Sequence, residues 1–132
     1  MKILFDTNVL ISIFLAFKEG SSCYDVIDHV IEYHQLYYTQ FIMEEFKRVF
    51  KEDFQYPESV IDKFTAFITT FFTKAGSSDR VENVCRDSKD DQILADALAN
   101  NIEVIVTGDN ALLVLDAHEG IKIITPKDYW KL

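Results

Sequence analysis

The chain has 132 residues, of which 22 are acidic and 13 are Lys or Arg, for a formal charge of −9; one compact domain over residues 1–132 is expected at this length. Hydrophobic residues make up 48% and charged residues 27%, which excludes a disordered chain, and 4 Gly and 2 Pro leave little composition for a linker. The longest apolar stretch, residues 9–17, is too short for a bilayer span, no signal-peptide pattern follows Met1-Lys2, and Cys23 and Cys85 form no CxxC, so a reduced, cytoplasmic protein off the membrane is expected.

Residues 2–5 form a short β-type run, followed by the capping cluster Asp6-Thr7-Asn8. Val9, Leu10, Ile13, Phe14 and Phe17 then recur at helical spacing, with a stop near Gly20. Ser21-Ser22 opens a second predicted helix carrying Val26, Ile27, Val30 and Ile31. Residues 36–39 read as an aromatic, β-branched strand, 40–50 as a helix, and Pro57-Glu58 as the start of another helix reaching about Lys74. A loop at 76–79 leads to a weak strand at 80–84. Residues 88–100 are predicted helical, 103–107 a β-branched strand, 112–115 a short helix and 121–125 a last strand, with Pro126 starting a terminal turn or helix. Strands alternating with helices, without an Asn-Gly hairpin signal, imply a parallel sheet covered on both faces. Ligands of such sheets bind beyond the carboxyl ends of the strands.

Taken alone, the acidic surplus argues against nucleic-acid binding, which rests on Lys and Arg. Its other use is to hold divalent cations, and the positions of the acids decide between the two. Asp6 follows the first strand directly, and Asp109 follows the 103–107 strand through Thr107-Gly108. Each has helix capping as its plain explanation, yet each stands among more capping groups than a cap requires. On helix 88–100, Asp90 lies near the middle of the face formed by Ile93, Leu94, Ala97 and Leu98. A carboxylate there must be paired, protonated or bound to metal, because burying it alone is costly. Ser88 and Asp91 match a capping box, Asp87 is an outer candidate for the same direction as Asp90, and Asp96 falls on the far side. On helix 40–50, Glu45 borders the apolar stripe of Ile42, Phe46 and Val49, while Glu44 points away; a salt bridge is the alternative use of Glu45.

The segments Ile-Leu-Phe-Asp-Thr-Asn-Val-Leu, Cys-Arg-Asp-Ser-Lys-Asp-Asp-Gln-Ile-Leu-Ala and Val-Thr-Gly-Asp-Asn-Ala-Leu-Leu, with Glu45 between the first two, resemble the PIN domain over residues 2–129. Within that family they look like the VapC-like toxins of toxin–antitoxin systems. The resemblance implies a three-layer α/β/α fold with a mainly parallel sheet, and a Mg²⁺- or Mn²⁺-dependent nuclease acting on RNA. It carries the carboxylate set onto Asp6, Glu45, Asp90 and Asp109, with Asp91 as a further metal ligand and Asn8 and Thr107 as polar supports. It also implies a homodimer and a cognate antitoxin. One departure stands at Lys89, where the subgroup commonly has an acid; this Lys either weakens a second metal or contacts a phosphate.

Oxygen ligands without His or Cys select Mg²⁺ or Mn²⁺ over zinc. In that reading Asp6, Asp90 and Asp109 bind the ion and Glu45 completes the shell or orients the attacking water. Arg86, Lys89 and Arg48 are the candidate phosphate contacts, with Lys47 and Lys51 nearby. Two other classes are weighed against it: an inactive PIN-fold binding module, and a phosphoacceptor receiver domain. The apolar helix at 63–74 stands where a receiver needs its central phosphorylatable Asp. Residues 60–75 are apolar enough for core or interface, and His29, His34 and His118 have no metal-ligand spacing.

Overall fold

The computed structural model describes residues 1–19 and 25–132. The expected stop at Gly20, the opening at Ser21-Ser22, the Phe17 side chain and Cys23 lie outside the described residues. The chain runs β1 (Lys2–Phe5), α1 (Thr7–Glu19), α2 (Asp25–Tyr33), β2 (Gln35–Tyr38), α3 (Gln40–Arg48), a π-helical turn (Val49–Asp53), α4 (Glu58–Phe71) and β3 (Thr73–Lys74). It continues through α5 (Ser88–Ala99), β4 (Val104–Val106), α6 (Asn110–Leu113), β5 (Ala117–His118), β6 (Ile121–Ile124) and α7 (Pro126–Tyr129).

The six strands form one sheet in the order β3-β2-β1-β4-β6-β5, parallel except for the β5–β6 pair. Helices cover it, giving the expected three-layer α/β/α arrangement. Ile3, Leu4 and Phe5 of β1 and Val104, Ile105 and Val106 of β4 are all buried, as continuous apolar runs must be when both sheet faces are covered. Their register, Phe5 opposite Val106, brings the residues that follow the two central strands side by side. Beside the sheet, Phe14 of α1, Phe46 and Phe50 after it, and Phe64 of α4 interlock at ring separations of 4.8 to 6.4 Å. This cluster fixes α3, and with it Glu45, against α1 and α4. Ile61, Phe64, Ile68 and Phe72 are core, whereas Phe71 is exposed.

Several expected elements take another form. Thr39 is not a strand residue: its hydroxyl caps α3 by accepting from the Ile42 N–H at 3.1 Å. The helix expected to reach Lys74 ends at Phe71, because Phe72 turns extended and Thr73–Lys74 adds an edge strand to β2. Residues 80–84 form no strand. Their neighbourhood sends its backbone N–H groups to a side chain instead, Val84 and Cys85 donating to Asp91 Oδ1 at 2.9 and 2.7 Å. A hairpin also joins β5 to β6 through Glu119 (φ 46°) and Gly120 (φ 87°), a two-residue turn whose twist suits antiparallel strands. Among the described residues no helix is long and apolar enough to cross a membrane.

Candidate functional site

The site is built where β1 and β4 end. Asp6 leaves β1 with its backbone N–H still donating to the Val106 carbonyl at 2.9 Å, and so stays in sheet register. The residue is 4% exposed. Oδ1 accepts from the Thr7 N–H at 2.7 Å and Oδ2 from the Thr107 hydroxyl at 2.7 Å. Thr107 Oγ1 in turn accepts from the Asp109 N–H at 3.0 Å, so one buried hydroxyl couples the ends of both strands. Asp109 does cap α6, with Oδ1 on the Ala111 N–H at 2.9 Å. Asp90 enters from the first turn of α5 and is 4% exposed, as its place on the apolar face predicts.

Asp6, Asp90 and Asp109 converge: each offers an oxygen, and the three oxygens lie within 4.8 Å of one another. Burial pushes the Asp6 carboxyl from 3.8 up to about 6, against the pull of the Thr107 and Thr7 hydrogen bonds and with the charges of Asp109 and Glu45 adding to the rise. The Asp90 carboxyl is raised further, first by burial and then by Asp109 and Asp6. Asp90 Oδ2 is buried without any hydrogen-bond partner. A buried carboxylate oxygen facing two more carboxylates is stable only when protonated or when a cation joins it. The all-oxygen donor set fits a hard divalent cation such as Mg²⁺ or Mn²⁺.

The other candidates take distinct places. Glu45 is half-buried and outside the trio, although its charge is felt at Asp6. Glu44 is exposed and accepts from Gln40 at 3.0 Å. One recess beside the trio is lined by Phe41, Glu44, Glu45, Arg48 and Lys89. Another, on the Asp109 side, includes Asn8, Arg86, Asp87 and Asp109, with Asn8 lying against Gly108.

Asp91 is not with the three, nor does it close a capping box with Ser88. Asp87 is the cap of α5, accepting from the Lys89 N–H at 3.1 Å. Asp91 points one-third of a turn away, and the two amides of Val84 and Cys85 hold its carboxyl below the ordinary carboxylate range. Burial and Asp91 push the Cys85 thiol the other way, up to about 12. Asp96, on the far side of α5, is fully buried, its Oδ1 accepting from the Ser78 N–H at 2.7 Å and from Gln92 Nε2 at 2.8 Å. Residues 75–87 fold over that side of α5, and the helix's own acids pin them there. Helical periodicity marks only the apolar face, so it gave no sign of Asp96. His29 packs with Tyr33, His34, Tyr129 and Trp130 and is hydrogen-bonded to the Tyr129 hydroxyl, away from the acids.

A sequence profile of the PIN domain matches residues 2–111. No curated protein matches the chain. Among solved structures, the crystal structure of VapBC2 from Rickettsia felis bound to a DNA fragment from their promoter is similar, with a TM-score of 0.63 and 15% identity. The match covers 93% of this chain and 97% of that one.

Proposed function

The chain belongs to the PIN-domain family, and from its site we propose that it is a Mg²⁺- or Mn²⁺-dependent endoribonuclease, the toxin of a toxin–antitoxin pair. One observation carries the reading: three carboxylates from three separate elements meet within 4.8 Å around a buried oxygen, Asp90 Oδ2, that lacks a partner. Surface acids caught in a salt-bridge network would be exposed and paired. Membership of this family sets the receiver-domain reading aside.

Asp6, Asp90 and Asp109 would hold the ion. When bound, the ion supplies activation of a water and neutralises charge gathering on the phosphate under attack. Thr107 and the Thr7 N–H lock the Asp6 carboxylate in one orientation, and burial keeps bulk water from competing for it. Glu45, at the rim, orients the attacking water and takes its proton. Arg86 on one side, with Lys89 and Arg48 on the other, face the RNA phosphates. Asn8 supports the Asp109 side and Thr107 the centre. Asp91 serves the fold rather than the ion.

A cognate antitoxin is the partner, a reading supported by the VapBC complex among the similar structures. A homodimer and a cytoplasmic setting follow from the same reading, over a single domain at 1–132. The direct test is Mn²⁺-dependent cleavage of an RNA by the purified chain and by Asp6→Asn. Cleavage by the wild type alone supports the reading; equal cleavage by both assigns the activity to a contaminant and removes it.

A further inference from the structure

The recess around Glu45 contains a cation that the carboxylate trio leaves unused. Lys89 of α5 faces Phe41, Glu44, Glu45 and Arg48 of α3. Arg48 is already paired with Glu52 at 3.6 Å, whereas Lys89 makes no ion pair among the described residues. Its backbone is fixed, because its N–H is held by the capping Asp87 at 3.1 Å. The ammonium therefore swings on a flexible stem from a firm point next to Asp90.

The charges at the site require something positive there. Asp6, Asp90 and Asp109 together bring three negative charges when ionised, which one divalent ion does not cancel. Glu45 adds a fourth on its own side, and an RNA phosphate must approach past it. A second divalent ion beside Glu45 would meet that need, but it would have to share the recess with the Lys89 ammonium, and like charges in one recess repel. Arg86 lies in the recess on the Asp109 side, so both flanks of the trio carry a cation along a path across the first turn of α5.

We propose that Lys89 stands in for a second divalent ion on the Glu45 side, so that the site takes one ion per chain and Lys89 positions the phosphate of the RNA. The inference rests on the nuclease reading above and goes beyond it by giving the ion count and the residue that sets it.

Mn²⁺ titration calorimetry on the full chain tests it without reference to activity. One Mn²⁺ per chain is expected for the wild type and for Lys89→Gln, and two for Lys89→Asp, which adds a carboxylate beside Glu45. With an RNA oligonucleotide, Lys89→Gln is expected to raise KM roughly tenfold, more than it lowers kcat. It should also reduce the slope of log KM against log salt by about one, as loss of one phosphate contact does. Two ions on the wild type, a single ion on Lys89→Asp, or an unchanged KM and salt slope in Lys89→Gln overturns the proposal. A wild type that binds no Mn²⁺ overturns the nuclease reading instead, and the two failures are distinguishable.

Discussion

The Asp6→Asn substitution is expected to stabilise the metal-free protein while abolishing cleavage. Burial is the main cause that lifts Asp6 from 3.8 to about 6. At pH 8 the folded chain must therefore ionise a carboxyl that resists ionisation, at a cost of about 3 kcal/mol. The amide has the same shape. Its oxygen can keep the Thr7 N–H, and its NH₂ can donate to the Thr107 hydroxyl, which has a second lone pair beside the one used by Asp109. The rise to about 6 is already net of the Thr107 and Thr7 hydrogen bonds to the charged form, so the gain is about 3 kcal/mol, or roughly 11 °C in Tm for a chain of this length at about 2 cal/mol/K of unfolding entropy per residue. Thermal unfolding in EDTA at pH 8 reads this gain, which should shrink as the pH falls toward 4 and the wild-type carboxyl becomes protonated. Adding Mn²⁺ should raise the wild-type Tm and leave the variant's unmoved. If Asp6→Asn instead lowered Tm by the same amount at pH 5 and pH 8, Asp6 would be a structural hydrogen-bond acceptor and the metal-site reasoning would fail.

Because Asp6 and Asp90 are raised by burial, their contribution to folding is present below pH 3.8 and lost as pH rises through about 6 and beyond. Asp91 is held low and stays ionised from pH 5 upward, so it adds no slope there. The Tm in EDTA should accordingly fall from pH 5 to pH 8, and the Mn²⁺-induced rise in Tm should grow over the same window; a rise that is constant with pH refutes this. Thr107→Val removes the hydrogen bond that lowers the Asp6 carboxyl. The acid limb of the pH–rate profile should move up by about one pH unit, with about 1 kcal/mol lost in urea unfolding. Glu45→Gln should lower kcat by about 10²- to 10³-fold and leave Mn²⁺ affinity within a few-fold by calorimetry, since Glu45 lies outside the trio. Asp91→Ala leaves the Val84 and Cys85 amides without their acceptor. It should cost about 2 kcal/mol and speed proteolysis within residues 76–87 in limited digestion.

Local pattern is enough to identify much of this protein. The apolar runs 3–5 and 104–106 specify strands buried on both faces, and the acids just beyond them follow from chain order alone. Asp90 stands out because a charged residue interrupts an apolar helical face, and Glu45 separates from Glu44 by the same periodicity. Those signals lie within one or two turns of backbone, where side-chain direction is set by the secondary structure itself. The short motifs around Asp6, Asp90 and Asp109 add the family.

Tertiary structure decides what each polar group finds as a partner. Asp91 reads as cap or ligand until residues 75–87 fold back and offer it two amides, and Asp96 reads only as lying on the far side of its helix until the same segment buries it. The edge strands β3 and β5 are two residues long, too short for any periodicity, and exist because β2 and β6 present open edges. That Asp6, Asp90 and Asp109 meet within 4.8 Å, and that Lys89 faces Glu45, depends on the register of β1 against β4 and on the Phe cluster that sets α3. Periodicity along a chain records which face avoids water, whereas the distances between charges on different elements are set only when those faces pack together.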